Sequence, residues 1–124
     1  MLHLKKVIKN GTVLEKIVLD KEYVSFGRLG DILCEHPSLS RHHAVLQYSN
    51  GLIDTKYPQG FYMYDLNSSH GTIINKTKLN AAQYVPVNLE SMFKLGLSTR
   101  IYILHGQYLY NANKKRIIFN HALN

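Results

Sequence analysis

Three short polar blocks punctuate a chain that otherwise reads as brief apolar runs: Gly27-Arg28, Ser40-Arg41-His42-His43 and Ser68-Ser69-His70-Gly71-Thr72. Each lies at a turn beside a strand-like segment. Arg28 and Arg41 bring two guanidiniums, Ser40 and Ser69 bring hydroxyls, and the glycine-containing turns free backbone N–H groups. Such a set is complementary to a phosphate, with planar forks for its oxygens and small donors to complete the shell. Other chemistries fit these residues less well. Ser40, His43 and Asp65 form a Ser-His-Asp set in name, but no G-x-S-x-G elbow is present, and Ser and His three apart beside a strand do not normally face each other. A hydrolase is therefore not expected. The histidines (His3, His36, His42, His43, His70, His105 and His121) lack the paired Cys/His spacing of a zinc site, so neither a metal nor another cofactor is expected. Gly96-Leu97-Ser98-Thr99-Arg100 has no Lys before its Ser and is no P-loop.

The elements that must position these blocks are strands. Leu4 to Lys9 and Thr12 to Leu19 flank Asn10-Gly11, a dipeptide suited to a two-residue type I′ hairpin turn. Tyr23-Val24-Ser25-Phe26 stops at Gly27, and His43 to Tyr48 is the next β-branched and aromatic run. Ser49 to Gly60 reads as a long hairpin loop before the strand Phe61 to Leu66. Thr72-Ile73-Ile74 follows the third polar block, and Asn75 to Lys78 makes a tight reversal into Leu79. Met92 to Leu95 and Arg100 to Leu104 close the pattern. Leu89 to Leu95 has the length of two helical turns, but Gly96 follows at once and no cap supports a helix. Short strands at this spacing predict a β-sandwich or barrel, whose loops gather at its two ends, so separated turns can converge on one patch.

Composition agrees with one packed domain: 124 residues, 45% hydrophobic and 19% charged. The lone cysteine, Cys34, has no internal disulfide partner, which favours a reducing compartment. No apolar run approaches the roughly 20 residues of a membrane span, and the N-terminal MLHLKKVIKN does not read as a secretory signal, so no membrane association is expected. The formal net charge of +7 suits an anionic partner. With nine tyrosines, it leaves a basic nucleic-acid-binding β domain as the alternative. Against that reading, the cations scatter: Lys5, Lys6 and Lys9 early, Lys76 and Lys78 midway, Lys114, Lys115 and Arg116 near the end. Most tyrosines also occupy alternating strand positions that suit packing. Nucleic acid is not the expected partner. A third reading, a scaffold whose pocket has lost its ligand, is opposed by the intact Arg28 and Ser40.

Taken in order, the three blocks closely resemble the signature of the forkhead-associated (FHA) domain: Gly-Arg, then Ser-x-x-His, then Ser-Ser/Thr-x-Gly-Thr-x-x-Asn. Here they stand as Gly27-Arg28, Ser40-Arg41-His42-His43 and Ser68-Ser69-His70-Gly71-Thr72-Ile73-Ile74-Asn75. The resemblance covers roughly Leu4 to Gly106. The stretches Glu35 to Arg41, Gly60 to Leu66 and Leu97 to Leu104 are similar to nuclear members of the family tied to pre-mRNA splicing. The resemblance implies an all-β, FHA-type sandwich of antiparallel strands with ligand-binding loops at one end. It implies an FHA domain over residues 1–106 and a C-terminal extension over 107–124 whose order the sequence leaves open. Arg28, Ser40, Arg41 and Ser69 match the family's phosphate-contacting positions, and His70 matches the position that bonds the bound peptide's backbone. Gly27, His43, Gly71, Thr72 and Asn75 match positions that support the loops. Two departures are Ser69, where Thr is commoner, and His70, where Asn is. The implied function is a non-enzymatic adaptor that recognises phosphothreonine in partner proteins, splicing-related nuclear proteins among them, in the nucleus or cytoplasm, with the nucleus favoured.

Overall fold

The computed structural model describes residues 2–8 and 10–106, with the backbone of 110–111 and 116–117. Period-two alternation of apolar and polar side chains builds its strands. In β5 (Ala44–Ser49), Ala44, Leu46 and Tyr48 are buried while Val45, Gln47 and Ser49 face outward. The other strands are β1 (His3–Val7), β2 (Val13–Val18), β3 (Tyr23–Gly27), β4 (Ile32–Leu33), β6 (Gly60–Asp65), β7 (Thr72–Ile74), β8 (Thr77–Lys78), β9 (Tyr84–Val87), β10 (Met92–Leu95), β11 (Ile101–His105), β12 (Tyr110–Asn111) and β13 (Arg116–Ile117). There is no helix among the described residues. The strands form a six-stranded sheet in the order β2-β1-β11-β10-β7-β8 and a five-stranded sheet in the order β4-β3-β5-β6-β9; β12 and β13 pair with each other. Pairing is antiparallel except between β3 and β4. The fold is thus the expected β-sandwich. The extension expected over 107–124 lies outside the described residues, apart from the β12–β13 pair.

The inner faces of the two sheets share one apolar core. Phe26, Ala44, Leu46 and Met63 come from the five-stranded sheet, and Leu4, Phe93, Leu95, Tyr102 and Leu104 from the six-stranded one. Phe26 meets Phe93 edge to face at 5.5 Å and Tyr102 at 5.5 Å, while Phe93 and Tyr102 stack at 5.3 Å. The Tyr102 hydroxyl lies 3.4 Å from the Cys34 sulfur. Burial, with that thiol beside it, pushes the Tyr102 hydroxyl well above the ordinary tyrosine range.

The turns differ from the sequence reading in an instructive way. The two-residue turn with positive φ at both positions falls at Asn75 (φ 46°) and Lys76 (φ 73°), closing Ile74 against Thr77. At the first hairpin Gly11 is left-handed (φ 88°) and Asn10 is not. Gly11 N–H donates to the Ile8 carbonyl and Ile8 N–H to the Thr12 carbonyl, so three residues separate the paired positions rather than two. Asn10 instead accepts the Thr12 N–H through its side chain (2.9 Å), and the register shifts between Lys6 and Val7. A glycine that supplies the left-handed position of a bulged loop relieves its neighbour of that duty. The strands absent from the sequence reading are short: the two-residue β4, β8, β12 and β13, and β9, whose Pro86 masked it. β9 is an edge strand, where a missing N–H is tolerated.

This topology places the three polar blocks together. Phe26 is opposite Ala44, and Ala44 is opposite Asp65, so the end of β3, the start of β5 and the end of β6 lie side by side. Phe26 is fully buried and touches both other rings of the aromatic cluster. Phe26→Ala is expected to cost about 3–5 kcal/mol, measured by urea denaturation, with Phe26→Leu costing distinctly less.

Candidate functional site

The loop end is assembled largely by backbone groups. Gly27 ends β3 with φ 150°, and a Cβ there would fall 2.2 Å from the Arg41 carbonyl oxygen and 2.9 Å from that of Ser40. Only glycine lets the two loops approach this closely. The approach is sealed by Arg28 N–H donating to the Ser40 carbonyl (3.2 Å) and Leu29 N–H to that of Arg41 (2.9 Å). The Arg28 side chain is then steered by its own Nε, which donates to the Leu39 carbonyl at 2.8 Å. Its two terminal nitrogens have no partner among the described residues, and the side chain is exposed.

His43 joins the second block to the third. Its ring is fully buried. Nδ1 accepts the Ser40 N–H (3.1 Å), and Nε2 sits 2.8 Å from the Gly71 carbonyl. An acceptor on one side and a carbonyl on the other fix the neutral tautomer with hydrogen on Nε2. Ser40 Oγ in turn accepts the Ser69 N–H at 3.1 Å, which leaves the Ser40 hydroxyl hydrogen to donate outward.

The third block is held from below by Asp65, which is 2% exposed. Its carboxylate accepts the Ser68 hydroxyl (2.7 Å), the Ser68 N–H (3.0 Å) and the Thr72 hydroxyl (2.7 Å), while Ser68 Oγ accepts the Gly71 N–H (3.0 Å). Asn67 turns the chain at φ 57° and Gly71 at φ 80°. The result is a rigid loop with Ser69 and His70 exposed at its tip. Burial pushes the Asp65 carboxyl up. The hydrogen bonds from Ser68 and Thr72 outweigh that and leave it below the usual aspartate value.

Most of the residues picked out in the sequence meet here. Gly27, Arg28, Ser40, Arg41, His43, Ser69 and Gly71 are joined directly by the contacts above, and Thr72 joins through Asp65. Arg41, Ser69 and His70 present exposed side chains. Asn75 does not reach this end. It lies beyond the far end of β7, where its side chain accepts the Met92 N–H (2.9 Å) and donates to Ser91 (3.3 Å), bracing β10. The sequence reading did not identify Asp65 as the loop's anchor, nor the Leu39 carbonyl as the group that aims Arg28. The first was visible as an Asp three residues before a Ser in a turn; a carbonyl carries no signal in sequence. The nominal Ser-His-Asp set is wired differently: His43 takes the backbone N–H of Ser40 rather than its hydroxyl, and Asp65 bonds Ser68 and Thr72.

The family model described as FHA domain matches residues 16–96. Human kanadaptin is 43% identical over 108 residues, covering 82% of this chain and 14% of kanadaptin. The human nuclear inhibitor of protein phosphatase 1 is 36% identical over 107 residues, covering 83% of this chain and 28% of the inhibitor. The chain thus spans a small part of the length of either relative. Among solved structures, the yeast Pml1 splicing factor aligns with a TM-score of 0.73 at 21% identity, over 85% of this chain and 78% of that one. The MEK1 FHA domain in complex with a HOP1 phosphothreonine peptide aligns at 0.59 and 22% identity, over 85% and 97% respectively.

Two substitutions test the construction of the loops. Gly27→Ala drives a Cβ into backbone that cannot swing aside, so a loss of about 1–3 kcal/mol is expected in urea denaturation. Asp65→Asn should cost about 1.5–3 kcal/mol at neutral pH, since hydrogen bonds to a charged acceptor are lost. Because the folded-state pKa of Asp65 lies below the unfolded value, its contribution is complete above the ordinary aspartate pKa of 3.8 and disappears as pH falls through the folded value. The gap between wild type and Asp65→Asn in urea titrations should therefore close in strong acid; a gap that widens there contradicts the assignment.

Proposed function

The chain belongs to the FHA domain family, a family of non-enzymatic phosphothreonine-binding interaction modules, and we propose that its loop end binds phosphothreonine in a partner protein. The observation that carries this reading is the state of Arg28. Its Nε is tied to the Leu39 carbonyl while the side chain stays exposed, which leaves the two remaining nitrogens as a fork for a ligand. A phosphate there gains a bidentate guanidinium contact. Ser40 Oγ, already accepting from Ser69, donates its hydrogen to a second phosphate oxygen. Arg41 and the Ser69 hydroxyl complete the shell, and His70 reaches the backbone of the bound peptide. Residues following the phosphothreonine lie over the loops containing Leu39 and His70. Phosphate brings about −1.5 to −2 charge at neutral pH, which a chain of formal charge +7 attracts.

The module comprises residues 1–106, and its role is that of an adaptor between proteins. The kinship with the nuclear inhibitor of protein phosphatase 1, and the fold shared with the Pml1 splicing factor, favour a nuclear location and a phosphorylated partner among splicing proteins. The packing of Tyr48 and Tyr102 within the sandwich core speaks against the alternative, a basic aromatic surface that stacks single-stranded bases.

Arg28→Ala should reduce phosphothreonine-peptide affinity by ten- to more than a hundredfold, as hydrogen bonds to charged groups contribute about 1.5–3 kcal/mol. Thermal melts should stay near wild type because the side chain is exposed. Arg28→Lys should also bind poorly, since an ammonium lacks the planar fork. In the same calorimetric series, phosphoserine should bind about fourfold more weakly than phosphothreonine, the effect of one buried methyl at about 0.8 kcal/mol. A well-folded Arg28→Ala protein that binds like wild type would refute the site.

A further inference from the structure

At the other end of the five-stranded sheet, the loop 50–59 folds back over the outer face and borders a half-open cavity of about 300 Å³. Phe61 and Met63 face the core, so Tyr62 between them faces outward, and Tyr84 lies on the same outer face of β9. Tyr57 descends from the loop and meets Tyr62 at 5.5 Å (78°) and Tyr84 at 5.2 Å (66°), so the rings stand as mutually steep walls. The Tyr62 hydroxyl donates to the Pro58 carbonyl and the Tyr84 hydroxyl to Gln47 Oε1, which fixes both rings. Among the described residues, the charged side chains lining the cavity are Glu22 and Asp54, and no lysine or arginine lines it. In a chain of formal charge +7, this is a local reversal of sign.

We propose that this tyrosine-walled cavity is a second docking site, which takes an arginine side chain from a basic segment of a protein partner. Ring faces attract a guanidinium through their quadrupole, and a carboxylate holds its fork. Tyr57 already shows this affinity for cations, with Lys56 Nζ 5.6 Å from its ring centroid. Asp54 uses Oδ1 to accept the Lys56 N–H, leaving Oδ2 for a ligand. Glu22 is anchored at the rim, its carbonyl accepting the Tyr48 N–H. Leu52 and Ile53 stand 70% and 94% exposed on the covering loop, apolar surface that suits a polypeptide ligand rather than a free small cation. The cavity lies roughly 20 Å along β5 from Ser40, so one partner can carry a phosphothreonine and a basic segment to the two sites together and gain from the linkage.

The test is an amide NMR titration of the full chain with a capped glycine-serine peptide containing two arginines, against the same peptide with citrulline. Saturable shifts are expected at Gln47, Asp54, Tyr57 and Tyr84, with binding weakened at least about tenfold by citrulline. The combined Glu22→Gln and Asp54→Asn variant should lose binding to a similar degree, and Tyr57→Leu, which keeps apolar bulk but no ring, should weaken it as well. Phosphothreonine-peptide affinity should be unchanged in all variants, and the arginine peptide should bind Arg28→Ala as it binds wild type. Equal binding of the citrulline peptide, shifts scattered over the surface, failure to saturate, or full binding by the double variant would each overturn the proposal.

Discussion

One buried imidazole carries the connections between the loops. His43 donates its backbone N–H to the Phe26 carbonyl and accepts the Leu66 N–H at its own carbonyl, while its ring reaches Ser40 on one side and Gly71 on the other. A fully buried polar ring is costly unless both nitrogens are satisfied. Here each satisfies a backbone group that the loops would otherwise leave unpaired. The position of each loop is thereby made conditional on the others. A donor at both nitrogens would leave the Ser40 N–H facing a hydrogen instead of a lone pair, so the arrangement requires the neutral ring.

Around that bridge, charge is distributed by depth. The carboxylate of Asp65 is buried and stabilised in its charged form by hydrogen bonds rather than by a cation. Arg28 and Arg41 stay at the surface, and of the Arg28 side chain one atom, its Nε, is committed to the fold. A negative group beneath a cationic rim would weaken the rim if it faced outward. Tying both carboxylate oxygens to Ser68 and Thr72 turns that charge into a loop anchor. With Nε tied to the Leu39 carbonyl, less of the Arg28 side chain is left to order, which would lower the entropy cost of gripping a phosphate at the proposed site.

How far this was legible in the sequence depended on whether a side chain carried the function. Arg28, Ser40, His43 and Ser69 announce themselves because their types and order are unusual, and alternating hydrophobicity was enough for most strands. What escaped was geometry expressed through the backbone. The Leu39 carbonyl aims Arg28, and the absence of a Cβ at Gly27 permits the close approach, yet only the glycine leaves a letter to read. Asn10-Gly11 and Asn75-Lys76 show the same limit. Dipeptide preference favoured the first as the two-residue turn, but the flanking register decided for the second, because Ile73 and Ile74 pair with Lys78 and Thr77 of β8 and with Lys94 and Phe93 of β10. Asn75, placed among the loop supports by its position in a motif, instead serves the opposite end of its strand.

The wiring of Ser40 bears on what the proposed site could do with a phosphate. A serine becomes a nucleophile when a base accepts its hydroxyl hydrogen. His43 is three residues away and its Nδ1 is a lone-pair acceptor, but that lone pair is filled by the backbone N–H of Ser40 itself. The hydroxyl oxygen is meanwhile an acceptor for Ser69. Its hydrogen is left to point away from the imidazole, as a donor toward an incoming anion. The residues that would make a catalytic relay in one arrangement here make a set of donors with a braced backbone. This difference lies entirely in which atom of Ser40 the ring accepts from.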